Sequence, residues 1–312
     1  NGLTLEFTRQ GNPYKFGLIG STDTHTGAGA FDESNYWSKV GLLDGDPENR
    51  GSVPLAEENI ERLDEYMRAF NQPISTVNLD QGEYANTGFT QWGASGLAAV
   101  WAEENTRESI FNAFRRKETF ATTGSRIAVR FFGGFDLSSI DLNSDSIVAE
   151  AYAKGVTMGS DLLHFNNKTP EFIIWAQRDK NGAPLQRLQI IKGWTEKGEL
   201  NEEVVDVICS EERPINPSTN QCSPIDTKVD LTDCSFDKSR GAKTLKALWT
   251  DSNYSPQQNA FYYARVIQNP TCRWTTYDSL RTGQKISKAY LSLIHISEPT
   301  RRRGMSDSGV GV

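Results

Sequence analysis

The hydrophobic pattern of this chain changes its period near residue 126, and that change limits the folds open to it. Up to about residue 125, apolar residues come in short continuous runs or at helical spacing. From 126 to 290 they alternate with polar residues, and turn signals separate the alternating stretches. A continuous apolar run suits a strand buried on both faces. Helical spacing suits an amphipathic helix, and alternation suits a half-buried antiparallel strand. The chain therefore reads as α/β over 1–125, followed over 126–290 by an antiparallel, sandwich-like β domain.

In the first part, Phe16-Gly17-Leu18-Ile19-Gly20-Ser21 is the apolar run. It follows a turn signal at Asn12-Pro13 and is expected to be a buried strand of a parallel sheet. Ile60, Leu63, Met67 and Phe70 define a helix over 56–70, with Glu57, Glu58, Glu61 and Asp64 on its wet side. Leu97 to Trp101 is a second strand candidate. The spacing predicts a helix over 106–116, capped by Asn105 with Glu108 three residues on. Ile110, Phe111, Ala113 and Phe114 are its expected buried stripe, and Arg115, Arg116 and Lys117 suit the negative end of its dipole.

In the second part, Ile127, Val129 and Phe131 alternate with Arg126, Ala128 and Arg130. Phe172, Ile174 and Ala176 repeat the pattern, and Phe261, Tyr263 and Val266 follow it loosely. Asn181-Gly182, between two strand-like runs, predicts a hairpin turn. No repeat of fixed period is visible.

Composition excludes several classes. A mean hydropathy of -0.54 and the lack of a long apolar run argue against a membrane-spanning protein. A net charge of -7 disfavours a nucleic-acid binder that works by neutralising phosphates. The arginines at 301–303 run against that balance, but their context discounts them. Leu291 to Arg301 resembles the translation of a mosaic-end adapter from transposon-based sequencing libraries. Residues 291–312 are therefore expected to be a sequencing-adapter artefact, the alternative being a natural amphipathic tail. Setting them aside removes three arginines and two carboxylates, and moves the net charge to -8.

Chemistry-bearing residues are sparse. His25 lies in Ser21-Thr22-Asp23-Thr24-His25-Thr26, directly after the first apolar run. An Asp and a His two apart at the end of a strand can direct an oxygen and a nitrogen to one cation. That donor mix suits Mn²⁺, Zn²⁺ or Fe²⁺ better than Ca²⁺. A surface Asx turn with an incidental histidine would read the same way. His164, close to Asn166-Asn167, has no evident partner and reads as an exposed loop histidine.

Gly20-Ser21-Thr22-Asp23-Thr24-His25 resembles the final metal-binding motif of the polymerase and histidinol phosphatase (PHP) superfamily. The wider chain resembles a bacterial family assigned to that superfamily, domain of unknown function 3604. The matching stretches are Asn12 to Gly17, Asp32 to Tyr36 with Lys39, Trp101 to Arg107, Thr123 to Ile127, Tyr152 to Gly155, and Arg273 to Asp278. The resemblance implies a fold that is α/β plus β: the carboxyl-terminal part of a distorted PHP-like α/β barrel over 1–125, then the β domain. It also implies two or three divalent metal ions in the intact parent and hydrolysis of a phosphate-type ester by metal-activated water. Asp23 and His25 are the metal ligands that map onto this chain. The family's earlier ligands would precede Asn1, so the chain is expected to be a carboxyl-terminal fragment that does not catalyse alone.

Two cations are candidates for substrate binding: Lys39 after the motif, and Arg126, whose planar fork suits an oxyanion. The alternative for each is an ordinary surface ion pair. Cys209, Cys222, Cys234 and Cys272 all lie in the β domain, with no zinc-knuckle spacing. An even number in one domain points to two disulfides and a periplasmic or secreted protein, against four free thiols in a cytosolic one. Four cysteines allow three connectivities; Cys209–Cys222 with Cys234–Cys272 is favoured. The expected function is a metal-dependent hydrolase of a small anionic ester. The competing readings are a sulfate-ester hydrolase and a non-catalytic secreted binding protein with a degenerate barrel. No nucleic-acid partner and no membrane span are expected.

Overall fold

The computed structural model describes residues 2–8, 11–69, 71, 75–94, 96–163, 168–290 and 293–294. Helix α1 (Gly2–Phe7) is followed by a long loop, then by α2 (Glu57–Ala69). Strands β1 (Thr76–Leu79) and β2 (Gly82–Ala85) form a hairpin. Leu63 of α2 packs on Leu55 and Ala85, with Ile60 and Met67 beside it, so these three predicted stripe residues face this hairpin, while Phe70 lies outside the described residues. Strand β3 (Leu97–Val100), helix α3 (Arg107–Arg115) and strand β4 (Thr119–Thr122) form a compact unit in which the two strands pair antiparallel.

The second half begins with β5 (Ala128–Gly134), α4 (Ile147–Lys154), β6 (Gly155–Thr157) and β7 (Glu171–Gln177). The long strands β8 (Leu185–Glu196) and β9 (Glu199–Cys209) follow, then the short β10 (Ile215–Asn216) and β11 (Gln221–Cys222). Strands β12 (Thr244–Thr250), β13 (Ala260–Gln268) and β14 (Thr271–Cys272), helix α5 (Trp274–Thr282) and β15 (Leu293–Ile294) complete the described elements. Four strands form one sheet in the order β12-β7-β5-β6, and three form another in the order β13-β8-β9.

The inner faces of these sheets share one core. Val129 and Phe131 of β5, Phe172, Ile174 and Ala176 of β7, Leu188 and Ile190 of β8, and Leu245 and Ala247 of β12 are buried together. Burial of each large aliphatic or aromatic side chain is worth about 1.5–3 kcal/mol, so this cluster is the main stabilising mass. Because strand side chains alternate, the intervening Phe132 and Ile173 face the other way. There Leu137, Ile140, Ile147 and Ala151 cover them from α4 and the turn before it.

The expected PHP-like α/β barrel is not what the chain forms. Among the described residues every strand pair is antiparallel, the sheets are small, and none closes. The run Phe16–Ser21 is not a strand, and Phe16 is 61% exposed. The run is held against the β3–β4 pair by the Thr119 hydroxyl, which donates to the Leu18 carbonyl at 2.9 Å. An apolar run becomes a buried parallel strand when neighbours pair with both its edges and layers cover both its faces. Here its outer side has no covering layer.

Local corrections have similar causes. The N-cap of α3 is Thr106, whose side chain accepts the Ser109 N–H, and not Asn105. Ala113 is buried as expected, but Phe111 is 60% exposed. The Asn181-Gly182 turn joins β7 to β8, which lie in different sheets, so it is not a hairpin. The long hairpin is β8–β9, turning at Lys197-Gly198, both at positive φ. In β13 the inward residues are Tyr262, Ala264 and Val266, while Phe261 lies on the outer face.

The two halves are joined through Trp101 and Glu118. The indole N–H of Trp101 donates to the Val129 carbonyl at 2.7 Å, and the Arg130 guanidinium sits 3.6 Å from the Trp101 ring centroid. Glu118 is buried and accepts from Arg116, Tyr152 and Thr157. Disulfides Cys209–Cys222 and Cys234–Cys272 close loops of the second half, which is the connectivity favoured from spacing. No helix among the described residues is long and apolar enough to cross a membrane.

Candidate functional site

The Asp23–His25 turn is built by short side chains that bond to their own backbone. The Ser21, Thr22 and Thr26 hydroxyls each accept the N–H two residues on, at 3.3 Å. Asp23 adopts φ 55, a left-handed conformation that Asp tolerates better than most residues. Gly20 and Gly96 let the turn approach β3. A Cβ on Gly20 would lie 2.8 Å from the Leu97 carbonyl oxygen, and one on Gly96 would lie 2.6 Å from that of Ser21.

His25 and Asp23 are both exposed. The His25 Nδ1 lies 2.9 Å from the Asp23 carbonyl oxygen. A carbonyl accepts and cannot donate, so this contact requires a proton on Nδ1, and in the neutral ring it leaves Nε2 with the free lone pair. Imidazoles that ligate metals are oriented through this kind of bond.

Lys39 sits beneath the turn and is only 4% exposed. Its ammonium donates to the Thr22 carbonyl and lies 5.8 Å from the Trp92 ring centroid. Its own carbonyl accepts the His25 N–H at 2.7 Å. Burial pushes the Lys39 pKa below its usual value, opposed by the charges of Asp23, Glu33 and Asp44. The structure thus places this expected substrate cation against the protein's own backbone.

The floor of the site is a buried polar cluster. Asp44, fully buried, accepts from the Tyr36 hydroxyl at 2.9 Å, the Ser38 hydroxyl at 2.8 Å, and the Lys39 and Val40 N–H groups at 2.7 and 3.0 Å. Four donors satisfy a carboxylate that would otherwise be costly to bury. Tyr36 stacks on Trp274 of α5, centroids 4.5 Å apart. The Glu33 carboxylate takes the Ala94 and Trp274 N–H groups at 2.6 and 2.8 Å. Desolvation raises its pKa, partly offset by those two bonds. Arg50 reaches Asp278 of α5 and lies 5.1 Å from the Tyr36 ring. The stretches Asp32–Tyr36 and Arg273–Asp278, far apart in sequence, thus converge below the Asp23–His25 turn.

Other expected residues lie elsewhere. Arg126 is exposed, with its guanidinium 4.9 Å from the Phe31 ring and its backbone N–H on Asp179. No described hydrogen bond or ion pair joins it to Asp23, His25 or Lys39. His164 lies outside the described residues, as do all but two residues of the 291–312 tail. Asp44, Arg50 and Trp92 were not singled out from the sequence, and no local motif marks them. Asp278 belongs to one of the stretches that carry the family resemblance, where its sequence context gives it no role.

Asp23 and His25 offer a carboxylate and a free imidazole nitrogen, which is the right donor chemistry for a transition-type divalent cation. Among the described residues no group of three or more His, Cys, Asp or Glu side chains is arranged to hold a metal ion. Two donors are fewer than such a cation normally takes.

No curated protein and no solved structure matches the chain. One family profile does match, and it covers residues 1–295, which include the turn, the buried cluster beneath it and both disulfides. On that coverage, the chain belongs to the family described as "Protein of unknown function (DUF3604)".

Proposed function

We propose that this chain contributes the Asp23–His25 part of a divalent-metal site in an exported hydrolase of phosphate-type esters. The observation that carries the reading is the His25 Nδ1 contact to the Asp23 carbonyl, which leaves Nε2 of the neutral ring as the available donor nitrogen, two residues from the Asp23 carboxylate. Membership of the PHP superfamily belongs to this reading and rests on the same two residues. A divalent cation bound there would activate water and neutralise charge on the ester oxygens. The chain's own part is to hold Asp23 and His25 in place. Lys39, engaged with Thr22, supports the turn. Of the two expected substrate cations, Arg126, exposed on Phe31, is the one whose guanidinium is turned to solvent. The two disulfides support export to an oxidising compartment, periplasmic or extracellular.

The test is a calorimetric titration of the chain with Mn²⁺ and with Zn²⁺, repeated on Asp23→Asn and His25→Gln. Binding that both substitutions abolish is expected. Identical isotherms for all three proteins would remove the metal site, and with it the hydrolase. Assays on aryl phosphates and aryl sulfates, made on a metal-loaded parent, separate the two ester classes. Metal binding without turnover on either ester would favour a secreted binding protein.

A further inference from the structure

We infer that Lys39 is a positioning residue, whose ammonium sets the tautomer of His25 by holding the Thr22 carbonyl. Three consecutive contacts carry the inference. The Lys39 Nζ donates to the Thr22 carbonyl, which fixes the peptide plane that enters Asp23. Asp23 then sits at φ 55, and its own carbonyl lies 2.9 Å from the His25 Nδ1. The His25 N–H closes the loop on the Lys39 carbonyl at 2.7 Å. One residue therefore clamps the turn at both ends, once through its side chain and once through its backbone.

The energetics favour a structural use of this ammonium. A buried cation is costly unless it is paired. The Thr22 carbonyl, the face of Trp92 and the surrounding carboxylates compensate it, and a hydrogen bond shielded from water is strengthened. Releasing Lys39 to a substrate would break that set. In water a neutral imidazole prefers its proton on Nε2. The clamp reverses this preference and frees Nε2. The inference concerns His25 itself and rests on the metal-site reading only for the use of the freed nitrogen.

The experiment is ¹⁵N NMR of the histidine rings in the full chain at mildly alkaline pH, with His25 assigned by loss of its signals in His25→Gln. Unmodified protein is expected to show a protonated Nδ1 and an unprotonated Nε2. Lys39→Met should shift the ring to a protonated Nε2, and Lys39→Arg should restore the original pattern. Should Lys39→Met not fold, the unmodified protein still decides. Its Lys39 ammonium protons should exchange with water more slowly than those of the exposed lysines. A Lys39→Met protein that folds and keeps the Nδ1–H tautomer would overturn the inference, as would a fast-exchanging Lys39 ammonium. A protein that shows the clamped tautomer but binds no Mn²⁺ or Zn²⁺ would sink the hydrolase reading and leave the positioning role standing.

Discussion

Arg50 and Asp278, 228 residues apart in the chain, meet in a two-pronged ion pair beneath the Asp23–His25 turn. The Arg50 Nε lies 2.7 Å from Oδ2 of Asp278, and the Nη2 2.5 Å from Oδ1. The side chains are 4% and 0% exposed. The Ser52 hydroxyl shares Oδ2 at 2.6 Å, and the second terminal nitrogen of Arg50 donates to the Trp37 and Asp44 carbonyls. This pair fastens α5 to the loop that carries Lys39 and Asp44. Removing Asp278 strands a buried guanidinium, and removing Arg50 leaves a buried carboxylate with only Ser52 and the more distant Arg281, at 3.8 Å.

Arg50→Met and Asp278→Leu are each expected to cost about 3–5 kcal/mol, the range for breaking one side of a buried pair. The double variant should cost clearly less than the sum, because neither charge is then left alone. Urea denaturation of the four proteins measures this. Additive losses would show that the two groups act independently.

The disulfides should differ in worth. Cys209–Cys222 spans 13 residues and Cys234–Cys272 spans 38. Loop-closure entropy assigns about 3 kcal/mol to the first and about 4 kcal/mol to the second. Denaturation midpoints of the Cys209→Ala/Cys222→Ala and Cys234→Ala/Cys272→Ala proteins give the ranking. The longer loop also ends two residues before Trp274, so its loss should loosen the start of α5 as well.

Gly20→Ala and Gly96→Ala test the contact between the turn and β3. The added methyl would meet backbone atoms at 2.8 and 2.6 Å, and backbone cannot rotate away as a side chain can. Each substitution is expected to cost about 1–3 kcal/mol, the usual penalty of overpacking. Thermal melts would reveal it, and an unchanged melting temperature would mean that the turn does not pack on β3.

Acid should weaken one surface link in a defined window. Glu211 receives hydrogen bonds from Arg240 and from the Gly241 N–H, and its pKa falls from 4.5 to about 2, chiefly through Arg240. A carboxylate with a depressed folded pKa stabilises fully above its unfolded pKa and loses that contribution as pH falls through the folded value. The contribution of Glu211 should therefore be complete above about pH 4.5 and gone below about pH 2. Carboxyl NMR titration reads this directly. Glu211→Gln should remove that part of the acid sensitivity.

Much of the second half was legible from alternation alone. Val129, Phe131, Phe172, Ile174 and Ala176 read as inward-facing, and all five are in the shared core. A period of two has one physical solution, a strand with one face covered. The phase of β13 was harder, because Phe261 and Tyr262 are both aromatic and the pattern does not say which ring faces in. In the first half the pattern is ambiguous, because an apolar run can be a buried strand or a stretch lying on a strand pair such as β3–β4. Phe16, Leu18 and Ile19 are apolar in either case, and a run of that kind does not encode its neighbours.

The sequence by itself determined the local chemistry: the change of period, the Asp-x-His turn with its flanking hydroxyls, and the confinement of four cysteines to one domain. These depend on residues within a few positions of one another or on composition. The tertiary structure decided which strands pair, that Lys39 bonds inward to Thr22, and that Arg50 finds Asp278 across 228 residues. Those outcomes depend on which distant surfaces exclude water together. No local pattern carries that information, because burial converts an ordinary lysine, arginine or aspartate into a positioned one.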